Sequence, residues 1–205
     1  AQGTSKDWVV KAAGLGLMMT SKTLDSVLSR MSRPIIRAAM VKAMRIMGGQ
    51  FVLGDSIETA MQNAQKYETP KNGMGGDRMS YDMLGEGART PIDAEHYFQN
   101  YKVALEYLAA RIGRYDGDKA SLRPGMSVKL SALHPRYEMA QSTMCPPVVI
   151  ERVKILGRLA RDGDIAMTID AEEAARLDLS LHVIMAILSD PEFAGWDGFG
   201  LAVQA

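Results

Sequence analysis

The sequence is poor in the features that mark secreted, membrane-spanning or nucleic-acid-binding chains. Cysteine occurs once, at Cys145, which excludes an internal disulfide framework and a thiolate-rich zinc site and fits a reducing compartment. Neither sign of charge is in excess: 24 basic residues balance 24 acidic ones, so no global field draws the chain to a nucleic acid. No run approaches the roughly 20 apolar residues that a membrane span needs, and the opening Ala-Gln-Gly-Thr-Ser lacks the charged leader of a secretory signal. The histidines, His96, His134 and His182, show no His-x-x-x-His spacing, and no metal is expected. The glycines of the stretch Thr69 to Asp77 follow no strand and precede no Gly-Lys-Ser/Thr, which rules against a phosphate loop. What remains is a cytosolic globular chain. At 205 residues, 47% hydrophobic and 23% charged, it has room for one large domain or one domain with an appendage.

What is present divides by its periodicity. Residues 7–69 read as helices. The first, Asp7 to Met19, is weakened by Gly14 and Gly16. In the next, Pro34 stands where a first helical turn tolerates it and leads Ile35, Ile36, Ala39, Met40, Ala43, Met44 and Met47 along one face until Gly48-Gly49 ends the run. Packing of this methionine stripe against the chain's own body is favoured over a partner groove. Asp55 or Ser56 is the expected N-cap of a helix from Ile57. Proline and glycines between Thr69 and Asp77 then mark a linker, so a helical domain over 1–72 is expected before a second domain over 73–205.

From Arg78 onward strands alternate with helices: strands over 78–84, 126–130, 165–169 and 198–203, helices over 93–112, 146–160 and 172–188, the first of these helices stopped by Gly113. A doubly wound sheet and a (β/α)8 barrel both fit this alternation. The first strand–helix junction breaks the Gly-x-Gly-x-x-Gly fingerprint of dinucleotide-binding sheets at Thr90, which favours the barrel. Complete barrels take about 250 residues, so the expected fold is α/β, the N-terminal half of a (β/α)8 barrel preceded by a helical domain. Barrel active sites lie at the carboxyl ends of the strands. Two apolar runs there stop on a charge, at Lys129 and at Asp170, and these residues head the candidate site.

Four blocks, Ser80-Tyr-Asp-Met-Leu-Gly-Glu86, Ser127-Val-Lys-Leu-Ser-Ala-Leu-His-Pro-Arg-Tyr-Glu138, Thr168-Ile-Asp-Ala-Glu-Glu173 and Phe199-Gly-Leu-Ala-Val-Gln-Ala205, resemble in order the proline dehydrogenase domain of the bacterial bifunctional proline utilization A flavoproteins. Gly49 to Asp55 resembles the α-domain that precedes that barrel. The resemblance implies a distorted barrel holding FAD, oxidation of L-proline to Δ1-pyrroline-5-carboxylate, and a membrane quinone as electron acceptor. It further implies a cytoplasmic homo-oligomer in peripheral association with the inner membrane when intact, with NAD used only by a separate C-terminal dehydrogenase domain outside these residues. By the same resemblance Lys129 lies near the substrate carboxylate, Asp170 orients substrate or neighbouring polar groups, and Asp82 is close to the pocket. Gln204 contacts the flavin, and Glu86 pairs with a substrate-binding arginine beyond residue 205 and gates the site.

Each residue also has a plainer reading. Lys129 reads as a snorkelling surface lysine, Asp170 as a helix N-cap, and Asp82 as a hydrogen-bonding group within the barrel. Glu172-Glu173 read as a first helical turn; Arg111, Arg114, Arg152, Arg158 and Arg161 read as solvated helix faces. His134-Pro-Arg-Tyr137 shapes either the site mouth or a simple turn. Competing readings of the whole are a helical interaction module and a lyase forming a Schiff base on Lys129. Because the resemblance places further flavin ligands, the substrate-clamping arginines and an aromatic lid on later barrel strands and the final helix, residues 1–205 alone are expected to be catalytically incomplete and prone to instability or association.

Overall fold

The computed structural model describes residues 27–49, 51–68, 78–112 and 123–204. The helix expected over 7–19, the linker over 69–77 and the stop at Gly113 lie outside them. The chain divides into two compact units, Ala1–Asp55 and Ser56–Ala205.

The first unit contains helix α1, Val27–Gly48. It ends at the expected glycines, where Gly49 N donates to Arg45 O at 2.9 Å and Val52 N to Gly48 O at 2.8 Å. Pro34 does not open this helix but sits inside it, because good helix formers upstream, Leu28, Arg30 and Met31, extend it by two turns despite the lost backbone donor. Met40, Met44 and Met47 are exposed among the described residues of this unit.

The second unit opens with α2, Ile57–Glu68, capped as expected by Ser56, whose Oγ accepts from Thr59 N at 3.3 Å. Then follow β1 (Ser80–Asp82), α3 (Pro91–Ile112), β2 (Gly125–Val128), α4 (Cys145–Asp162), β3 (Ala166–Ile169), α5 (Leu177–Leu188) and β4 (Phe199–Leu201). The strands form one parallel sheet in the order β1-β2-β3-β4. Right-handed crossovers between strands laid down in sequence order carry the helices to one face, and α4 packs there between α3 and α5.

Two helix starts differ from the sequence reading. Helix α3 begins at Pro91 rather than Asp93, because Thr90 and Asp93 cap each other: Asp93 N donates to Thr90 Oγ1 at 3.1 Å and Thr90 N to Asp93 Oδ2 at 2.8 Å. The residue that breaks the glycine fingerprint is thus a helix cap. Helix α5 begins at Leu177 after a 3-10 turn, Ala174–Arg176, rather than at Glu172.

Alternation along the strands sorts the sheet into two chemically different faces. Tyr81, Met126, Val128, Met167 and Ile169 are buried on the face that meets the helices. There they join stripes at helical spacing: Tyr101, Leu105 and Leu108 of α3, Val149, Val153, Leu156 and Ala160 of α4, and Leu179, Val183 and Ile187 of α5. Each large apolar side chain buried this way contributes about 1.5–3 kcal/mol. The opposite face carries Ser80, Asp82, Ser127, Thr168 and Gly200, in register across the strands. Ser80 and Asp82 are exposed, Thr168 and Gly200 half-buried, so the face is both polar and open.

The amino ends of the strands are pinned. The buried Arg123 guanidinium pairs with Asp164, whose φ of 57° makes the left-handed turn from α4 into β3. Alongside, β2 and β3 approach so closely that a Cβ on Gly125 would lie 2.7 Å from the Ala166 carbonyl oxygen. Gly125→Ala is therefore expected to lower the unfolding free energy by about 1–3 kcal/mol, read as a lower urea midpoint with the slope of the transition unchanged; an unmoved midpoint would show that the strands do not need this contact.

Candidate active site

The site forms because consecutive strands end level with one another. Asp82 pairs with Ser127 in the β1–β2 register, and Asp170 follows Ile169, the partner of Val128. The Asp170 amide continues the ladder by donating to Val128 O at 3.0 Å. With side chains alternating, Asp82, Ser127, Lys129 and Asp170 share the polar face at its carboxyl edge.

There they bond directly. Lys129 Nζ donates to Asp82 Oδ1 and Oδ2, both at 2.7 Å, and to Asp170 Oδ2 at 2.9 Å. The other Asp170 oxygen, Oδ1, accepts from Ser127 Oγ at 2.7 Å. Lys129's own amide donates to the Tyr101 hydroxyl at 3.2 Å, and Tyr101 is only 1% exposed, so helix α3 holds the strand end from behind. Lys129 is not a snorkelling lysine: its side chain is 17% exposed, and its ammonium is drawn onto carboxylates. Asp170 is not a helix cap, since α5 starts at Leu177.

The electrostatics fix the lysine in its charged form. Burial alone lowers its pKa, but the hydrogen bonds from Asp82 and Asp170, backed by their charges, outweigh it and raise the pKa above the ordinary 10.5. Burial pushes the Tyr101 phenol up to about 12, against the opposing hydrogen bond and charge of Lys129, so it stays neutral. The two carboxylate legs are unequal, the Asp82 side chain being 45% exposed and the Asp170 side chain 21%.

The remaining candidates line the same edge without joining this cluster. Gln204 is exposed two residues past Ala202, whose amide donates to Ile169 O at 2.8 Å and carries the ladder beyond β4. Glu86 is exposed in the loop after β1, between Gly85 at φ 146° and Gly87 at φ 59°. That loop is tied to the next one, as Gly87 N donates to Ser131 Oγ at 3.0 Å and Ala88 N to Ser131 O at 2.9 Å. Ser131 N in turn donates to Glu172 Oε1 at 3.1 Å. Glu172 is therefore not a first-turn carboxylate: its side chain is 6% exposed and also pairs with Arg176.

A cavity of about 280 Å³ opens beside these loops, lined in part by Arg89, Ser131, His134, Tyr137 and Arg176. His134 accepts at Nδ1 from the Arg136 amide at 3.1 Å, and burial, with Arg152 nearby, lowers its pKa. His134-Pro-Arg-Tyr137 is thus a turn that also lines a cavity. Arg152 is not a solvated helix residue, since it donates to Ala94 O at 2.9 Å and Leu133 O at 3.1 Å and pairs with Glu95. Arg114 lies outside the described residues. Sequence reading missed Ser127, Tyr101, Ser131 and Glu172. Only Ser127 left a signal, standing two residues before Lys129 on the same strand face.

Residues 60–205 match the family model described as proline dehydrogenase. The bifunctional protein PutA of Salmonella typhimurium is 41% identical over 218 residues, covering 99% of this chain and 16% of that protein. PutA of Rhizobium meliloti is 41% identical over 217 residues with the same coverage of 99% and 16%. A solved structure of a Bradyrhizobium japonicum proline utilization A variant superposes with a TM-score of 0.65 at 43% identity, over 89% of this chain and 18% of its own. Proline utilization A from Bdellovibrio bacteriovorus, inactivated by N-propargylglycine, gives a TM-score of 0.69 at 24% identity over 83% of this chain and 18% of its own, a likeness of fold alone. The chain spans 16% of the length of the curated relatives it matches. With the match running from residue 60 to residue 205, the chain belongs to the proline dehydrogenase family.

Proposed function

We propose that this chain is the first part of an FAD-dependent proline dehydrogenase, oxidising L-proline to Δ1-pyrroline-5-carboxylate on the way to glutamate. Its four parallel strands fit the opening half of a (β/α)8 barrel over 73–205; of the helical domain expected over 1–72, α2 belongs to the second compact unit, Ser56–Ala205. Strand order supports the barrel, because a doubly wound sheet reverses its order at a switch point and this one runs straight through. The observation that carries the function is the Lys129 ammonium held between Asp82 and Asp170 on an open polar face, in a chain of this family.

Proline presents a carboxylate and a ring amine. Lys129, fixed as a cation, binds the carboxylate. Asp82, the wetter leg of the pair, is the one the substrate carboxylate displaces; Asp170, held on its other oxygen by Ser127, keeps the ammonium in place and orients the bound ring. Glu86 pairs with a substrate-binding arginine elsewhere in the polypeptide and closes the mouth. FAD, when bound, supplies the two-electron acceptor. Gln204 would hold its ring edge with an amide that both donates and accepts. The small residues Gly200 and Ala202, which put no large side chain beside Gln204, support a flat ring there. Electrons pass on to a membrane quinone, and NAD serves a separate dehydrogenase domain of the same bifunctional polypeptide, a cytoplasmic homo-oligomer at the inner membrane surface. No described helix is long and apolar enough to cross a membrane.

The Schiff-base lyase is disfavoured by the same cluster, because a nucleophilic lysine needs a lowered pKa and Lys129 has a raised one. An interaction role draws support from the exposed Met40, Met44 and Met47 of α1.

In the complete polypeptide, proline is expected to bleach the flavin spectrum without oxygen, and Lys129→Met to raise the KM for proline about 10- to 100-fold. Borohydride added with proline should leave no adduct on Lys129; an adduct would favour the lyase. Acylation at about pH 9, followed by peptide mass spectrometry, tests the lysine independently of turnover. A raised pKa leaves less neutral amine, tenfold less per unit, so Lys129 should label more slowly than exposed lysines, and Asp82→Asn should speed it.

A further inference from the structure

We infer that Glu172, through Ser131, positions the loop that carries Glu86, so that a buried carboxylate after β3 sets the rim of the site after β1. This rests on the proline dehydrogenase reading for its consequence, though not for its geometry. A buried carboxylate is costly unless its oxygens are satisfied. The Glu172 side chain, 6% exposed, satisfies them in different directions: Oε1 accepts the Ser131 amide at 3.1 Å, and Oε2 accepts from Arg176 at 3.2 Å.

Ser131, 2% exposed, lies in the 3-10 turn Leu130–Ala132 that follows Lys129. It passes the constraint on, its hydroxyl and carbonyl oxygens accepting the amides of Gly87 and Ala88 at 3.0 and 2.9 Å. One chain of hydrogen bonds thus joins the loops after β3, β2 and β1.

The first loop needs such a hold. Glu86 enters from Gly85 at φ 146° and leaves into Gly87 at φ 59°. Glycine on both sides leaves the free loop many conformations. Gly85 is further hemmed in by Tyr97, whose ring would lie 2.5 Å from an added Cβ. The glycine-rich loop is therefore clamped just before Glu86 by packing and just after it by Ser131. Arg176 is shared with Glu173, at 2.8 Å.

The test uses the complete, flavin-loaded polypeptide with Glu172→Ala and Glu172→Gln, the latter keeping an acceptor for the Ser131 amide. Hydrogen exchange is read on peptides spanning the Gly87 and Ala88 amides, with the Asp170 amide, bonded to Val128 O, as control. Glu172→Ala should speed exchange at Gly87 and Ala88 about tenfold or more while leaving Asp170 unchanged. It should also raise the KM for proline about tenfold with kcat within about twofold; Glu172→Gln should restore both. Should Glu172→Ala not fold, Ser131→Ala, which removes only the hydroxyl, should free Gly87 alone. Unchanged exchange at Gly87, or a rise shared by Asp170, would overturn the relay. Selective loosening with an unchanged KM would overturn the positioning role. A wild-type protein that does not oxidise proline would refute the function while the exchange data still judged the relay.

Discussion

The ammonium of Lys129 is the charge around which the polar side of this sheet is arranged. It bonds carboxylates from both neighbouring strand ends, Asp82 and Asp170. Around it the supports are of different kinds. Tyr101 reaches from the helix layer to hold the backbone of Lys129, and Ser127 holds the far oxygen of Asp170. A charged group becomes a fixed feature of the molecule only when both its head and its backbone are held, and here both are.

That arrangement depends on the division of the sheet into unlike faces. Met126, Val128, Met167 and Ile169 go down into the helices, leaving the alternate positions to small and polar groups. Parallel sheets commonly have apolar cover on both sides; among the described residues the helices cover one face of this one. The amino edge is closed by the Arg123–Asp164 pair and by the tight approach at Gly125, and the carboxyl edge carries the Lys129 cluster.

Much of this was legible in the sequence, for physical reasons. Apolar runs stopping on Lys129 and Asp170 marked strand ends because a strand leaving the core must change its side-chain chemistry there. Helix α4 was legible from its apolar spacing. The start of α3 was misread because the Thr90–Asp93 cap lies just before the apolar stripe that drew attention. Glu172 was misread for a deeper reason: a carboxylate ahead of a helical pattern has a local explanation, whereas its real partner, Ser131, lies 41 residues away. Tyr101 was likewise invisible, since nothing in a helical stripe distinguishes a tyrosine that only packs from one whose hydroxyl meets a strand end.

The unequal shelter of the carboxylates flanking Lys129 has a further consequence. Dissolved ions screen wetted charges far more than sheltered ones, so added salt loosens the ammonium's grip on Asp82 before it touches the grip on Asp170. The lysine then behaves as a hinged arm with one firm pivot, its freedom set by the ionic composition of the surrounding solution.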